Sequence, residues 1–367
     1  MTKMMPFIDL SRQQHRIRDS LEQKIKNVLD HGQYIMGPEV KELENMLANY
    51  VGVKHCVSVA NGTDALLIAM LALDIKANDE IITSPFTFIA TSEMIALLGA
   101  KPIYVDIHEQ TYNIDPSQIE KAITERTKAI IPISIYGQCA NMNEINEIAK
   151  KYNIPVIEDG AQSFGATHYD KKSCSLSKIG CTSFFPSKPL GCYGDGGACF
   201  TDDNEIAERM RSIRVHGQKE RYHHTQIGIN GRMDTLQAAI LIAKLEIFEE
   251  EVILRNKLGD KFNALLKDYY MTPYIEKQNT SVYAQYTLRV GNRSQFMHNL
   301  KEIGIPTAIH YPTPAHLQPA FFDPKYPHKS LPISEKVASE VVSLPFHPYL
   351  LEDEIEFIIS SVIKQST

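Results

Sequence analysis

Ile154-Pro155-Val156-Ile157-Glu158-Asp159-Gly160-Ala161-Gln162 opens the decisive part of this chain. Ser183-Phe184-Phe185-Pro186-Ser187-Lys188-Pro189-Leu190-Gly191 completes it and leads into Tyr193-Gly194-Asp195-Gly196-Gly197-Ala198. The first stretch is a short apolar strand that ends on two acids and a glycine. The second puts a lysine in a turn-rich loop. Each piece alone has an ordinary reading. A lone lysine is usually a solvated surface charge. An aspartate after a strand is often a helix N-cap, and clustered glycines mark a tight turn. The order is much less common by chance: strand, Asp159, Gln162, Ser183, Lys188, glycine-rich turn.

Outward from this segment, strand-like and helix-like runs alternate. Residues 12–30 have helical spacing and stop near His31-Gly32, and 40–50 form a second helix stopped near Gly52. Residues 55–59 read as a strand, 64–73 as an apolar helix, 80–83 as a strand and 88–98 as a helix. Residues 102–105, 129–133 and 156–157 add strands, with a helix over 142–152 before the last. Short apolar strands alternating with helices predict an α/β fold with a mostly parallel sheet covered on both faces. Right-handed crossovers then bring the loops after the strands to one edge, where ligands bind. A long helix from about 234 to 265, rich in Ala, Leu and Glu, bridges to a second unit. There, 283–290 and 307–310 read as strands and 294–303, 335–342 and 353–363 as helices. The expected division is a large domain over 1–245 and a smaller C-terminal α+β domain over 246–367.

Composition narrows the function. The chain has 367 residues, 43% of them apolar, so a sizeable core is expected. A formal net charge of -6 argues against a broad nucleic-acid surface but leaves room for a local basic pocket. No stretch has the length of a membrane span, and residues 1–10, which include Asp9, lack the apolar core of a signal peptide. Cys56, Cys139, Cys174, Cys181, Cys192 and Cys199 form no Cys-x-x-Cys pair, so no metal site is expected. Their apolar or glycine-rich surroundings suit free buried thiols in a reducing, cytoplasmic setting. His223-His224 reads as a polar loop, since no acidic or cysteine ligand flanks it.

An acid closing a buried strand and a lysine in a turn-rich loop suit pyridoxal 5'-phosphate (PLP). The lysine amine condenses with the cofactor's aldehyde, and the acid pairs with the pyridinium nitrogen that makes the ring an electron sink. Lys188 and Asp159 are the candidates. The cofactor phosphate needs donors, and Asn61-Gly62-Thr63-Asp64-Ala65 links a strand to a helix. Gly62 and Thr63 then offer N–H groups at a positive helix end, and Ser183 adds a hydroxyl. Phe88, in Pro85-Phe86-Thr87-Phe88-Ile89-Ala90-Thr91, is a candidate to stack on the ring, with plain core packing as its ordinary alternative. Gln162, three residues after Asp159, lies one helical turn along, within reach of the ring hydroxyl.

These segments resemble the DegT/StrS-type nucleotide-sugar aminotransferases, which are fold-type I PLP enzymes. The matching pieces are Gly37-Pro38, Asn61-Gly62-Thr63-Asp64-Ala65-Leu66, Pro85-Phe86-Thr87-Phe88, Glu158-Asp159-Gly160-Ala161-Gln162-Ser163 and Phe185-Pro186-Ser187-Lys188. Gly228-Ile229-Asn230-Gly231-Arg232-Met233-Asp234 and His310-Tyr311-Pro312 extend the likeness over nearly the whole chain. The resemblance implies that Lys188 carries the cofactor and Asp159 partners its ring nitrogen. Gln162 would contact the ring oxygen, Phe88 the ring face, and Gly62, Thr63 and Ser183 the phosphate. It implies that Asn230 serves the phosphate of a neighbouring subunit, hence a homodimer with shared active sites. Dehydratase members of the family carry histidine in place of the lysine, so Lys188 implies amino transfer.

The amino donor implied is L-glutamate, leaving as 2-oxoglutarate, and the acceptor is a UDP-linked keto sugar. The lysine segment and Asn230-Gly231-Arg232-Met233-Asp234-Thr235-Leu236-Gln237-Ala238-Ala239 are most similar to the branch acting on UDP-2-acetamido-2-deoxy-3-keto-glucuronate. That branch makes a 3-amino uronate for bacterial surface polysaccharide such as O-antigen. A uronate carboxylate needs a cation, and Arg232 offers a bidentate grip; a salt bridge at a surface or interface is its ordinary alternative. His310 and Tyr311 resemble further sugar-site residues. Two other readings stand beside this one: an aminotransferase for another dTDP- or UDP-linked 3- or 4-keto deoxysugar, and a non-catalytic PLP-fold regulatory protein.

Overall fold

The computed structural model describes residues 4–366. Residues 1–3, the start of the 1–10 stretch considered above, and residue 367 lie outside it. The alternating strands form one layer. Strands Lys101–Tyr104, Glu80–Thr83 and Thr127–Ile131 lie side by side and parallel. Parallel bridges at Ile130–Val156 and Ile133–Asp159 join this group to Ile157–Asp159. The sheet continues parallel to Ile179–Ser183, then antiparallel to Gly197–Thr201, and ends at His55–Val59. The mostly parallel sheet expected from the alternation is therefore present, and Gly197–Thr201 is its one strand running opposite to the rest.

Both faces are covered, which explains the continuous apolar runs in the strands. Ile81 joins the core that packs Leu66, Ile68 and Met70 of helix Gly62–Ala72. Its neighbour Ile82 joins the opposite core, with Leu43 and Leu47 of helix Pro38–Val51 and Leu241 of the long helix. Successive strand residues point to opposite faces, so both must be apolar.

The long helix Thr235–Leu266 starts in the large unit and ends in the small one. Ala238 and Leu241 pack in the core that holds Ile82, while Phe262 and Leu266 pack in a third core. That third core holds the antiparallel strands Tyr286–Arg289 and Val341–Leu344 with helices Arg293–Glu302 and Glu352–Ile363. The domain boundary proposed near residue 245 thus falls inside a continuous helix. The N-terminal end also joins the small unit, through Met5 N–H donating to the Gly304 carbonyl at 3.1 Å.

Several expected elements differ. The helix expected over 12–30 is two helices, Leu10–Arg16 and Arg18–His31, broken at Ile17. The helix expected over 335–342 ends at Glu340, and Val341-Val342 open a strand, as suits β-branched residues. Residues 307–310 form no strand; only Ala308 bridges to Ser343. The segment 88–98 becomes helical at Ala90, which leaves Phe88 free of the helix. Strands Ile179–Ser183 and Gly197–Thr201 and helices Pro116–Ala122 and Asn204–Ile213 were not apparent in the sequence. The two strands are built from Gly, Ala, Cys and Ser as much as from strong β-formers. His223–His224 forms the return of a small exposed hairpin with Gln218–Glu220. All six cysteines are buried and free, and no helix among the described residues is long and apolar enough to cross a membrane.

Candidate active site

Loops at one edge of the sheet enclose a cavity of about 640 Å³, closed from the other side by Gln285, His310 and Tyr311 of the small unit. Gly62, Thr63, Phe88, Asp159, Gln162, Ser183 and Lys188 all line it. These are residues far apart in sequence, brought together by the parallel topology.

Asp159 ends strand Ile157–Asp159 and is only 6% exposed. Its carboxylate accepts a hydrogen bond from Thr91 Oγ1 at 2.7 Å and from the Ala161 N–H at 3.2 Å. Burial raises its pKa, opposed by those two donors and by the Lys188 charge. Two neutral donors do not fully compensate a buried carboxylate. A cationic ring nitrogen would, so this acid fits the PLP pyridinium. Lys188 follows strand Ile179–Ser183 in a turn closed by its own N–H to the Phe185 carbonyl at 2.8 Å. Burial lowers its pKa to about 8, with Asp159 pulling the other way.

The phosphate end of such a cofactor also fits. Asn61 caps helix Gly62–Ala72 by accepting from the Asp64 N–H at 2.8 Å. Gly62 and Thr63 stand in the first turn, whose N–H groups have no intrahelical carbonyl. A Cβ on Gly62 would come within 2.6 Å of Ser183 Cβ. Glycine is therefore what lets the helix start press against the end of the strand that carries Ser183.

Phe88 stands at the cavity mouth, 55% exposed, with its ring 5.9 Å from that of Tyr311. It is not a core residue, so its ring is available to a ligand. Gln162 sits in a turn, not on the helix that the spacing suggested. Its Oε1 accepts from the Tyr136 N–H at 2.9 Å, and its Nε2 donates to Tyr311 Oη at 3.3 Å. His310 Nδ1 lies 2.9 Å from Ser343 Oγ, and its carbonyl accepts from the Tyr136 hydroxyl. Burial and the Lys188 charge push the imidazole down to about 4, so it is neutral near pH 7.

Asn230 and Arg232 are not among the residues lining this cavity. Asn230 is exposed, on a segment anchored beside the cavity by the Ala60 N–H to the Gly231 carbonyl at 2.8 Å. Arg232 is half-buried, and its Nε has no hydrogen-bond partner. Thr91, Tyr136 and Gln285 went unrecognised in the sequence. Thr91 stands in the quoted Pro85–Thr91 run, but nothing there marks it as the residue that orients Asp159. Tyr136 and Gln285 lie in no motif.

Residues 15–363 match the DegT/DnrJ/EryC1/StrS aminotransferase family. The chain is 58% identical over 360 residues to the UDP-2-acetamido-2-deoxy-3-oxo-D-glucuronate aminotransferase of Pseudomonas aeruginosa, covering 98% of this chain and 99% of that protein. It is 42% identical over 362 residues to a pleiotropic regulatory protein of Geobacillus stearothermophilus, covering 98% and 97%. Among solved structures, ntda from Bacillus subtilis with bound cofactor PMP superposes with a TM-score of 0.91 at 30% identity, covering 100% of this chain and 86% of that one. With a family match spanning nearly its whole length, the chain belongs to the DegT/DnrJ/EryC1/StrS aminotransferases.

Proposed function

We propose that this chain is a PLP-dependent aminotransferase that moves the amino group of L-glutamate to C3 of UDP-2-acetamido-2-deoxy-3-keto-glucuronate. The products are 2-oxoglutarate and the 3-amino sugar. The observation that carries the chemistry is the cavity in which an undercompensated buried acid, Asp159, and a buried lysine, Lys188, stand together. The substrate assignment is supported by the end-to-end likeness to the Pseudomonas aeruginosa protein.

When bound, the cofactor supplies an electron sink and carries the amino group between the two half-reactions. Asp159, held by Thr91 and Ala161, would set its carboxylate against the ring nitrogen. Gly62, Thr63 and Ser183 would hold the phosphate, Phe88 would cover one ring face, and Gln162 would reach the ring hydroxyl. Lys188 Nζ would anchor the cofactor, and its amine is placed to act as the base toward the Cα proton of glutamate. In the second half-reaction it delivers a proton to C3 of the sugar. Burial, which lowers the Lys188 pKa, favours the neutral amine that a base requires.

His310 and Tyr311 contact the sugar in this reading, and Arg232 grips the uronate carboxylate. Asn230 and Arg232 lie off the lining of their own chain's cavity, so we assign both to the site of a second copy in a homodimer. The 3-amino uronate would feed bacterial surface polysaccharide such as O-antigen, from the cytoplasm. The position of Arg232 also favours a second reading, in which the acceptor is a neutral UDP- or dTDP-linked keto sugar. A non-catalytic regulatory role gives no reason for Lys188 and Asp159 to face one cavity.

The test is a mass-spectrometric assay in reverse, because keto sugars are labile. PLP-loaded protein is mixed with 2-oxoglutarate and UDP-2-acetamido-3-amino-2,3-dideoxy-glucuronate. Formation of glutamate and keto sugar, abolished by Lys188→Ala, is the expected result. Turnover by a folded Lys188→Ala protein would sink the catalytic assignment. A visible response to glutamate without conversion of this sugar would move the acceptor to the neutral class.

A further inference from the structure

The loop that carries Lys188 is held from behind by one face of the long helix. Gln237, Lys244 and Glu251 lie seven residues apart on helix Thr235–Leu266 and so share a side. Gln237 Oε1 accepts from the Tyr193 N–H at 2.9 Å. Lys244 Nζ donates to the Gly191 carbonyl at 2.5 Å and stands 4.2 Å from the centre of the Tyr193 ring. Glu251 accepts from Gln13 Nε2 at 2.8 and 3.0 Å and from the Tyr349 hydroxyl. The loop itself folds back tightly, since a Cβ on Gly191 would come within 2.6 Å of the Phe185 and Pro186 carbonyl oxygens.

Lys244 is 1% exposed. One carbonyl, one aromatic face and the more distant Glu251 charge compensate a buried ammonium only in part, and an apolar side chain of similar length would pack the site at lower cost. Leu190 and Cys192 pack into the core on one side of the loop, but the packing on the Lys244 side is incomplete. A void of about 20 Å³, room for a single water, lies between Pro186–Gly191, Lys244 and His347. The directed contact to Gly191 is what the lysine adds.

We propose that Lys244 is a positioning residue for Lys188: held between the Tyr193 ring and the Gly191 carbonyl, its ammonium fixes the loop Pro186–Gly191 and so the aim of Lys188 into the cavity. This rests on the role given to Lys188 above. Lys244 touches neither cofactor nor substrate; it acts through the loop.

The test uses full-length, PLP-loaded protein and the variants Lys244→Met and Lys244→Arg. Two quantities are read: the rate of cofactor release on dilution, followed by visible absorbance, and the rate and KM of the single half-reaction with glutamate. Lys244→Met should speed release about tenfold and slow the saturated half-reaction about tenfold, as expected for losing a hydrogen bond to a charged group. KM for glutamate should change less than about twofold, since no substrate contact is lost. Lys244→Arg, which keeps the cation and its donors, should recover most of both rates. A folded Lys244→Met protein with a lower melting temperature but wild-type rates per loaded molecule would overturn the proposal. Should Lys244→Met not fold, Tyr193→Leu removes only the ring beneath the ammonium and should slow the half-reaction about threefold; wild-type rates there would overturn it equally. A wild-type protein unresponsive to glutamate would overturn the role of Lys188 and this proposal with it, whereas a responsive wild type beside unaffected variants overturns Lys244 alone.

Discussion

Asp159→Asn separates what the buried acid does for the fold from what it does for the cofactor. Without cofactor, the carboxylate is 6% exposed and is compensated by Thr91 Oγ1, the Ala161 N–H and the Lys188 charge, which together do not offset its burial. Asparagine keeps both hydrogen bonds. Its Oδ1 can accept from Ala161, and its Nδ2 can donate to Thr91, whose hydroxyl accepts as readily as it donates. Removing an undercompensated buried charge should therefore stabilise the cofactor-free protein by about 1–2 kcal/mol. For 367 residues the unfolding entropy is roughly 0.8 kcal/mol per degree, so the melting temperature should rise by about 1–3 °C. The sign depends on pH. Burial raises the folded pKa of Asp159, so ionisation costs the folded state more than the unfolded chain. The penalty appears as pH rises above about 4 and persists beyond the folded pKa, so the advantage of asparagine should fade as pH falls toward 4. With cofactor the balance inverts. Breaking a buried ion pair costs about 3–5 kcal/mol, which at 1.36 kcal/mol per tenfold is roughly two to almost four orders of magnitude in kcat/KM. Differential scanning fluorimetry of both forms, with the half-reaction rate, measures both arms. A cofactor-free variant less stable than wild type by more than about 2 °C, or a loaded one within tenfold of wild-type rate, would refute the reasoning.

Gly62→Ala forces a methyl to within 2.6 Å of Ser183 Cβ, so the helix start must retreat from the strand. Equilibrium dialysis should show PLP held about tenfold more weakly, consistent with about 1–3 kcal/mol of overpacking strain. Arg232→Ala should lower kcat/KM for the uronate far more than for the matching neutral sugar; equal losses would reject the carboxylate role. His310 and His347 are both held down to about 4 by burial, against about 6.5 in an unfolded chain. Their stabilising contribution is present above pH 6.5 and lost as pH falls through 6.5 toward 4. His310→Asn should shallow that acid arm in a melting-temperature series, and an unchanged slope would contradict it. Because His310 stays neutral, the rate profile between pH 6 and 8 should carry no ionisation from it.

What the sequence determined by itself was local. Strand and helix periods are written in neighbouring residues, so the alternation that makes a mostly parallel sheet was legible, as was the long helix ending near Leu266. Asp159 and Lys188 stood out because an acid at a strand end and a lysine among turn residues break those periods. Strand Ile157–Asp159 was half hidden for the same reason: its two acids interrupt the apolar run although both are buried. Tertiary structure decided the contacts between segments that no local pattern links. Thr91 meets Asp159 from 68 residues away, and Ser343 meets His310 from 33 residues away. Lys244 reaches the Gly191 carbonyl because the long helix packs behind the lysine loop. Asn230 and Arg232 bear motif-like neighbours yet lie off the cavity of their own chain. Threonine, serine and a single helical lysine carry no compositional mark of such roles. Only chain crossovers, which set which segment passes behind which, bring their polar atoms within hydrogen-bond distance of the groups they orient.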